Sequence, residues 1–268
     1  MTRRLPLLPK ILVAAALLSC GAVALVVWTS TPRPFDAGFE DGALVASDWQ
    51  IDAHPRCALA VSSAQARTGA SSLRVEAPKG LRCEVVPRTV PRYLEKLVRE
   101  PFGQERWYRF SVFVETLGEP AGEPGALTDN TVVAQWHSSP DPLFAGEKGR
   151  GPSLALRIQG GRWGITYGWD SSFASSDAAA GDWHWAGEVA TGRWIDWEFR
   201  VRWSYGADGL TEVWRDGEPV FRREGPNTYH DLRGVYLKLG LYHPTDDTVV
   251  YFDRVSLTDH RIADGAPN

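Results

Sequence analysis

Apolar and polar residues alternate over short runs along most of this chain. SSLRVEA, YRFSVFVE, NTVVAQWH, SLALRI, RWGITYGW, WIDWEFRVRWS, LTEVWRDGEPVF, VYLKLGLYH and VVYFDRVSL all carry a strand-like pattern, the mark of half-buried β-strands. Asp216-Gly217 falls between two such runs and predicts a tight hairpin. One amphipathic segment, RYLEKLVRE, predicts a short helix. Many strands, little helix and no βαβ rhythm predict an all-β fold, a β-jelly-roll (concanavalin-like) sandwich of two antiparallel sheets.

The alternation also assigns side chains to faces, because successive residues of a strand point to opposite sides. In VYLKLGLYH, Val235, Leu237, Leu239 and Leu241 share an aliphatic face, while Tyr236, Lys238, Gly240 and Tyr242 share the other. In NTVVAQWH, Thr131, Val133, Gln135 and His137 fall together, opposite Val132, Ala134 and Trp136. In LRCEV, Arg82 and Glu84 share a face and Cys83 points away from it. A polar strand face is ordinary on a half-solvated sheet. Three strands that together supply Arg, Gln, His, Lys and Tyr predict instead that these five side chains line one groove, on one concave face.

Composition narrows the setting. The 268 residues carry a net charge of −4 and no long basic run, which argues against a nucleic-acid partner. Arg3, Arg4 and Lys10 precede an uncharged stretch from Ile11 to Trp28. That length just spans a bilayer. Three readings follow: an uncleaved anchor, a lipoprotein cut before Cys20, or a cleaved signal. All three put the rest of the chain outside the cytoplasm, anchored at the cell surface or secreted, with the membrane touched only through this N-terminal segment. Residues 1–34 are thus expected to be targeting segment and linker, and 35–268 one domain, expected to be monomeric. Cys57 and Cys83 then remain, and in an oxidising compartment such a pair is expected to be bridged. Neither has a close cysteine or histidine at metal-ligand spacing.

The ordered motifs RCEV, QWH and YLKLGLYH resemble the three motifs of jelly-roll alginate lyases, roughly R-S/T-E-L, Q-I/V-H and Y-F-K-A-G-x-Y-N-Q. The phrases ERWYRFSVFV, NTVVAQWH, GRWIDWEFRVRWS, VWRDG and GPNTYHD are similar to the heparin lyase I and glucuronan lyase group of polysaccharide lyases. The likeness runs from about Phe35 to the C-terminus. Cys83 stands where a small hydroxyl residue is usual, and His243-Pro244 replaces the closing Asn-Gln.

The resemblance implies cleavage of a uronic-acid polysaccharide by β-elimination: C5 proton abstraction, loss of the 4-linked oxygen, and an unsaturated product. It implies Arg82, Gln135, His137, Lys238 and Tyr242 as catalytic residues. Gln135, Arg82 and Lys238 would stabilise the substrate carboxylate as charge grows. Tyr242 would protonate the leaving oxygen, and either His137 or Tyr242 would be the base. Tyrosine is a poor base at neutral pH unless a cation is near, and Lys238 is the expected cation. Gly240 would leave room for the sugar. Glu84, Arg157, Trp163, Asn227, Tyr229 and Tyr236 are the expected substrate contacts. The resemblance admits Ca2+, although no carboxylate-rich loop fixes its place, and implies no other cofactor.

Two rivals stand beside this reading. Sandwich glucanases use E-x-D-x-x-E, but WIDWEF has Trp194 first, leaving only Asp196 and Glu198, whereas retaining hydrolysis needs a pair of catalytic carboxyls. Asp196, Glu198, Arg200 and Arg202 read better as a solvated face with cross-strand ion pairs. The alternative is a non-catalytic carbohydrate-binding, lectin-like sandwich, with Trp136, Trp163, Trp169, Trp183 and Trp185 as sugar platforms. A pure binding module has no evident need for Gln, His, Lys and Tyr together.

Overall fold

The computed structural model of the protein describes residues 32–95, 99–117, 130–141, 147, 149–172 and 181–262. The N-terminal stretch from Ile11 to Trp28 lies outside these residues. Among those described, no helix is long and apolar enough to cross a membrane.

Strands numbered in chain order form two antiparallel sheets. The first runs β13 (Glu218–Glu224), β12 (Leu210–Arg215), β11 (Trp194–Arg202), β6 (Glu105–Thr116), β15 (Thr248–Thr258), β4 (Ser72–Ala77) and β3 (Ala58–Ser62), with β1 (Phe35–Ala37) also on β15. The second runs β10 (Gly181–Glu188), β9 (Arg162–Gly168), β8 (Leu154–Gln159), β7 (Thr131–His137), β14 (Tyr236–Tyr242), β5 (Arg82–Pro87) and β2 (Trp49–Ala53). The expected sandwich of two antiparallel sheets is the fold observed. Asp216 and Gly217 make the two-residue turn between β12 and β13, both with positive φ (53° and 84°), as a type I′ turn requires. The expected helix over RYLEKLVRE does not form in its described part. Residues 92–95 make a turn, closed by the Leu94 amide donating to the Pro91 carbonyl at 2.8 Å, and residues 96–98 lie outside the described set.

The core fills the space between the sheets. β11 shows why: Ile195, Trp197, Phe199 and Val201 are fully buried, while every intervening residue is partly exposed. Those intervening residues make the expected ion pairs, Arg67–Asp196 at 2.9 Å, Arg200–Glu105 at 2.7 Å, Arg200–Glu212 at 2.9 Å and Arg261–Glu198 at 2.7 Å. From the second sheet, β14 sends Leu237, Leu239 and Leu241 into the same core. Cys83 is fully buried and bonded to Cys57, with Cα atoms 5.6 Å apart. The expected disulfide is therefore present.

β7 departs from simple alternation. Its register against both β8 and β14 shifts near Val133. Val133 and Ala134 both enter the core cluster, and Val132 stands opposite both Arg157 and Tyr242. The expected grouping of Val133 with Gln135 and His137 is thus overturned. A bulge of this kind resets the phase of the residues beyond it. Gln135 and His137 lie on the core-averse side of the bulge.

Candidate active site

β5, β7 and β14 lie side by side in the second sheet, and their register decides which polar groups meet. Lys238 stands opposite Gln135, Tyr236 opposite His137, Gly240 opposite Glu84, and Tyr242 opposite Arg82. The aliphatic phase of β14 is in the core, so Tyr236, Lys238 and Tyr242 project from the outer face. Gly240 sits midway with φ at 136°, and an added Cβ would lie 2.2 Å from the Cys83 carbonyl oxygen. Its glycine is required by close approach to β5, a backbone reason that the sequence reading replaced with room for a sugar.

The centre of the face is a charge network. Glu84 is 2% exposed and accepts a hydrogen bond from the Gln135 side-chain amide. Its other oxygen lies 3.5 Å from Arg82 Nε and 3.6 Å from Lys238 Nζ. Burial pushes the Glu84 carboxyl up, and Lys238, Gln135 and Arg82 oppose that. Glu84 thus braces Gln135, Lys238 and Arg82 from within the face, and it is buried to the same degree as Gln135 and Lys238. Lys238 Nζ donates to Asp52 at 2.6 Å, and Arg82 reaches the same oxygen at 3.2 Å. Burial raises the Asp52 carboxyl, but Lys238 and Arg82 outweigh it and hold the group below its ordinary value. Lys238 is therefore committed to Asp52, and the cation on Tyr242 is Arg82, whose guanidinium lies 4.5 Å from the ring centroid.

Asp52 was not found by sequence reasoning. It comes from edge strand β2, directly opposite Glu84, and no motif carries it. Asp52→Asn is expected to loosen both Lys238 and Arg82 and to cost roughly 10-fold in turnover, with the fold retained, since one shared charge-assisted contact is weakened. Steady-state kinetics beside a thermal melt checks this.

His137 and Tyr242 flank this centre from opposite ends. The six residue steps from Tyr236 to Tyr242 span up to about 20 Å of strand. His137 Nδ1 is bonded to the Ser138 carbonyl, so that nitrogen donates and Nε2 is left as the basic atom. Burial lowers the His137 pKa, reinforced by Lys238, Arg82 and Arg150 and opposed by the Ser138 carbonyl. Tyr236 lies 6.0 Å from the His137 ring, and the Arg99 guanidinium lies 4.2 Å from the Tyr236 ring. Arg99 was also missed, because it falls in the segment expected to be helical.

At the other end, Arg157 of β8 donates to Thr166 Oγ1 at 2.7 Å and to Asn130 Oδ1 at 2.6 Å. Both partners are neutral. Burial pushes this guanidinium down to about 10, opposed by Tyr242, and it stays cationic at neutral pH. No carboxylate among the described residues pairs with Arg157 or Arg99. Arg82, Lys238 and Arg157 outnumber Asp52 and Glu84, and Arg99 adds a further positive charge.

Three expected contacts lie elsewhere. Trp163 is fully buried, 5.3 Å from Trp197 in the core, and so is no exposed platform; Trp136 is equally buried. Asn227 is 2% exposed and commits its amide to the carbonyls of Arg202 and Leu210, to Thr211 Oγ1 and to the Ser204 amide. Tyr229 is 2% exposed, beneath the Arg150 guanidinium at 4.5 Å. Arg150 pairs with Glu147 and Asp231, which cluster with Asp141. Arg150 already pairs with two of these three carboxylates and so competes with calcium for them. A cavity of about 710 Å3 lies apart from the site, lined by Asp36, Glu40, Asp41 and Asp48. That acidic lining repels a polyanion.

A cation-rich row on the outer face of a sandwich sheet is the candidate site. A family model for polysaccharide lyases matches residues 39–256. The chain belongs to the polysaccharide lyase family, and is a carbon–oxygen lyase acting on polysaccharides. No curated protein matches it. Among solved structures, the endo-β-1,4-glucuronan lyase of the fungus Trichoderma reesei is similar at 17% identity, covering 81% of this chain and 92% of its own, with a TM-score of 0.64. The cellulose-induced protein Cip1 is similar at 17% identity over 86% of this chain and 100% of its own, TM-score 0.56. Alginate lyase A1-II′ follows at 13% identity over 79% and 94%, TM-score 0.54. At these identities the likeness is one of fold, the jelly roll.

Proposed function

We propose that the protein cleaves a uronic-acid polysaccharide by β-elimination. The observation that carries this is Arg157: a half-buried guanidinium near Tyr242 that, among the described residues, bonds to the neutral Thr166 and Asn130 and to no carboxylate. A charge partly withdrawn from water without a counter-charge is costly, and a substrate carboxylate would compensate it. Arg82, Lys238 and Gln135 then hold the carboxylate of the reacting sugar, lowering the cost of the charge that grows when C5 is deprotonated. His137 Nε2 takes the C5 proton. The C5–H electron pair becomes the C4–C5 double bond as the C4–O bond breaks. The leaving oxygen takes a proton from the Tyr242 hydroxyl.

The same reading puts the protein outside the cytoplasm, anchored or secreted; the Cys57–Cys83 disulfide supports it, being a bond of oxidising compartments. The test is a panel of acidic polysaccharides differing in their uronate, glucuronan and alginate among them, with a neutral glucan as control. Ultraviolet absorbance of the unsaturated product is expected from at least one uronan and not from the glucan. Absence of that product across the panel overturns the proposal.

A further inference from the structure

The outer face of the second sheet continues past Arg157. Arg157 stands opposite Gly164 and bonds to Thr166, which fixes Arg162, Gly164 and Thr166 of β9 on the site's side, while Trp163 and Ile165 enter the core. On β10, Trp183 pairs with Thr166 and Trp185 with Gly164. An added Cβ on Gly164 would lie 2.2 Å from the Trp183 indole, so Trp183 lies on the bare backbone of β9, on this same face. Trp185 packs edge-on against Trp183 at 5.1 Å, and the Arg162 guanidinium lies 4.4 Å from the Trp185 ring. His184, between them, turns the other way to the Val220 carbonyl at 2.9 Å.

Both indoles are partly exposed and neither belongs to the hydrophobic core. A second surface pair, Trp107 and Trp214, sits on the opposite sheet, stacked at 5.7 Å with Arg261 over both. Only the Trp183–Trp185 pair is continuous with the cationic row. β10 is four strand positions from β14, roughly 19 Å, which is beyond the reacting sugar and within reach of a polymer. Among the described residues Arg162 pairs with Glu188, at 3.3 Å with the glutamate 76% exposed, a contact of little strength.

We propose that Trp183, Trp185 and Arg162 form a remote subsite for the acidic polysaccharide, several sugars from the bond that breaks. The apolar face of a pyranose lies on the Trp183 indole, and Arg162 meets its carboxylate. This rests on the uronan-lyase reading above. Binding so far from the reacting atoms is felt mainly in KM, and only by chains long enough to span the gap.

The experiment compares a long uronan with its short oligosaccharides, using wild type, Trp183→Ala, the double variant Trp183→Ala/Trp185→Ala, and the half-exposed Arg162→Gln, which leaves the hydrophobic core untouched. On the polymer the double variant is expected to raise KM roughly 10-fold, the scale of aromatic contacts, with kcat falling far less; short chains shift much less. Arg162→Gln is expected to raise polymer KM several-fold at low salt and less at high salt. Polymer KM at the wild-type value in all three variants, or equal changes on long and short chains, overturns the subsite alone. A wild-type enzyme that cleaves no uronan overturns the underlying reading and the subsite with it.

Discussion

Tyr242→Phe is expected to lower turnover on a cleaved uronan by about 10²-fold or more, the scale of general acid catalysis, while binding changes little. The substitution removes one hydroxyl and keeps the ring, so the contact with Arg82 at 4.5 Å survives. The fold should too, because Tyr242 projects from the outer face and its strand is held by Leu237, Leu239 and Leu241 in the core. A loss of that size is about 2.7 kcal/mol of transition-state stabilisation. The leaving oxygen needs its proton only as the C4–O bond breaks, so the loss falls on kcat and kcat/KM together. Turnover paired with calorimetric binding makes the measurement. Full turnover in Tyr242→Phe removes the acid from this residue, whatever becomes of the lyase.

How far such a site can be read in advance depends on whether alternation is locally true. It holds through β14, where Leu237, Leu239 and Leu241 are core residues, and so Lys238 and Tyr242 were legible from periodicity alone. It fails in β7, where the bulge buries Val133 and Ala134 in succession. A one-residue insertion leaves no compositional trace. Trp163 was misassigned although its phase was readable: it alternates with Gly164, in step with Ile165, and that step belongs to the core. Asp52 and Arg99 had no such signal. The first reaches the network from an edge strand thirty residues upstream of Arg82, as their side-chain contact shows, and the second from a segment with a helical pattern that forms a turn. β10 escaped notice because GDWHWAGE is poor in β-branched residues.

The charge balance explains why these late-found residues matter. Asp52 and Glu84 almost neutralise Arg82 and Lys238, so the centre is oriented more than it is charged. Arg157 and Arg99 carry the surplus, one towards Tyr242 and one towards Tyr236 and His137. A polymer with a carboxylate on every sugar would meet a cation at each end of the network as well as at its middle. A neutral polysaccharide would leave both arginines uncompensated.

His137 sets the pH dependence. The imidazole must be neutral to accept the C5 proton, and burial together with Lys238, Arg82 and Arg150 disfavours its charged form. Its pKa therefore lies below the ordinary value of about 6.5. The active form is fully present above that value and is lost as pH falls through the lowered pKa. The acid limb of kcat/KM is thus expected below pH ~6.5, reporting the free enzyme's base. Glu84, which burial raises, is the other group whose protonation would weaken the network in acid. Glu84→Gln keeps an acceptor for Gln135 and removes that titration, so an acid limb that persists in this variant belongs to His137. His137→Ala is expected to cost about 10²-fold in turnover and to abolish the limb. If Tyr242 alone were the base, His137→Ala would leave the limb in place. A pH–rate series on wild type and these two variants separates the two mechanisms.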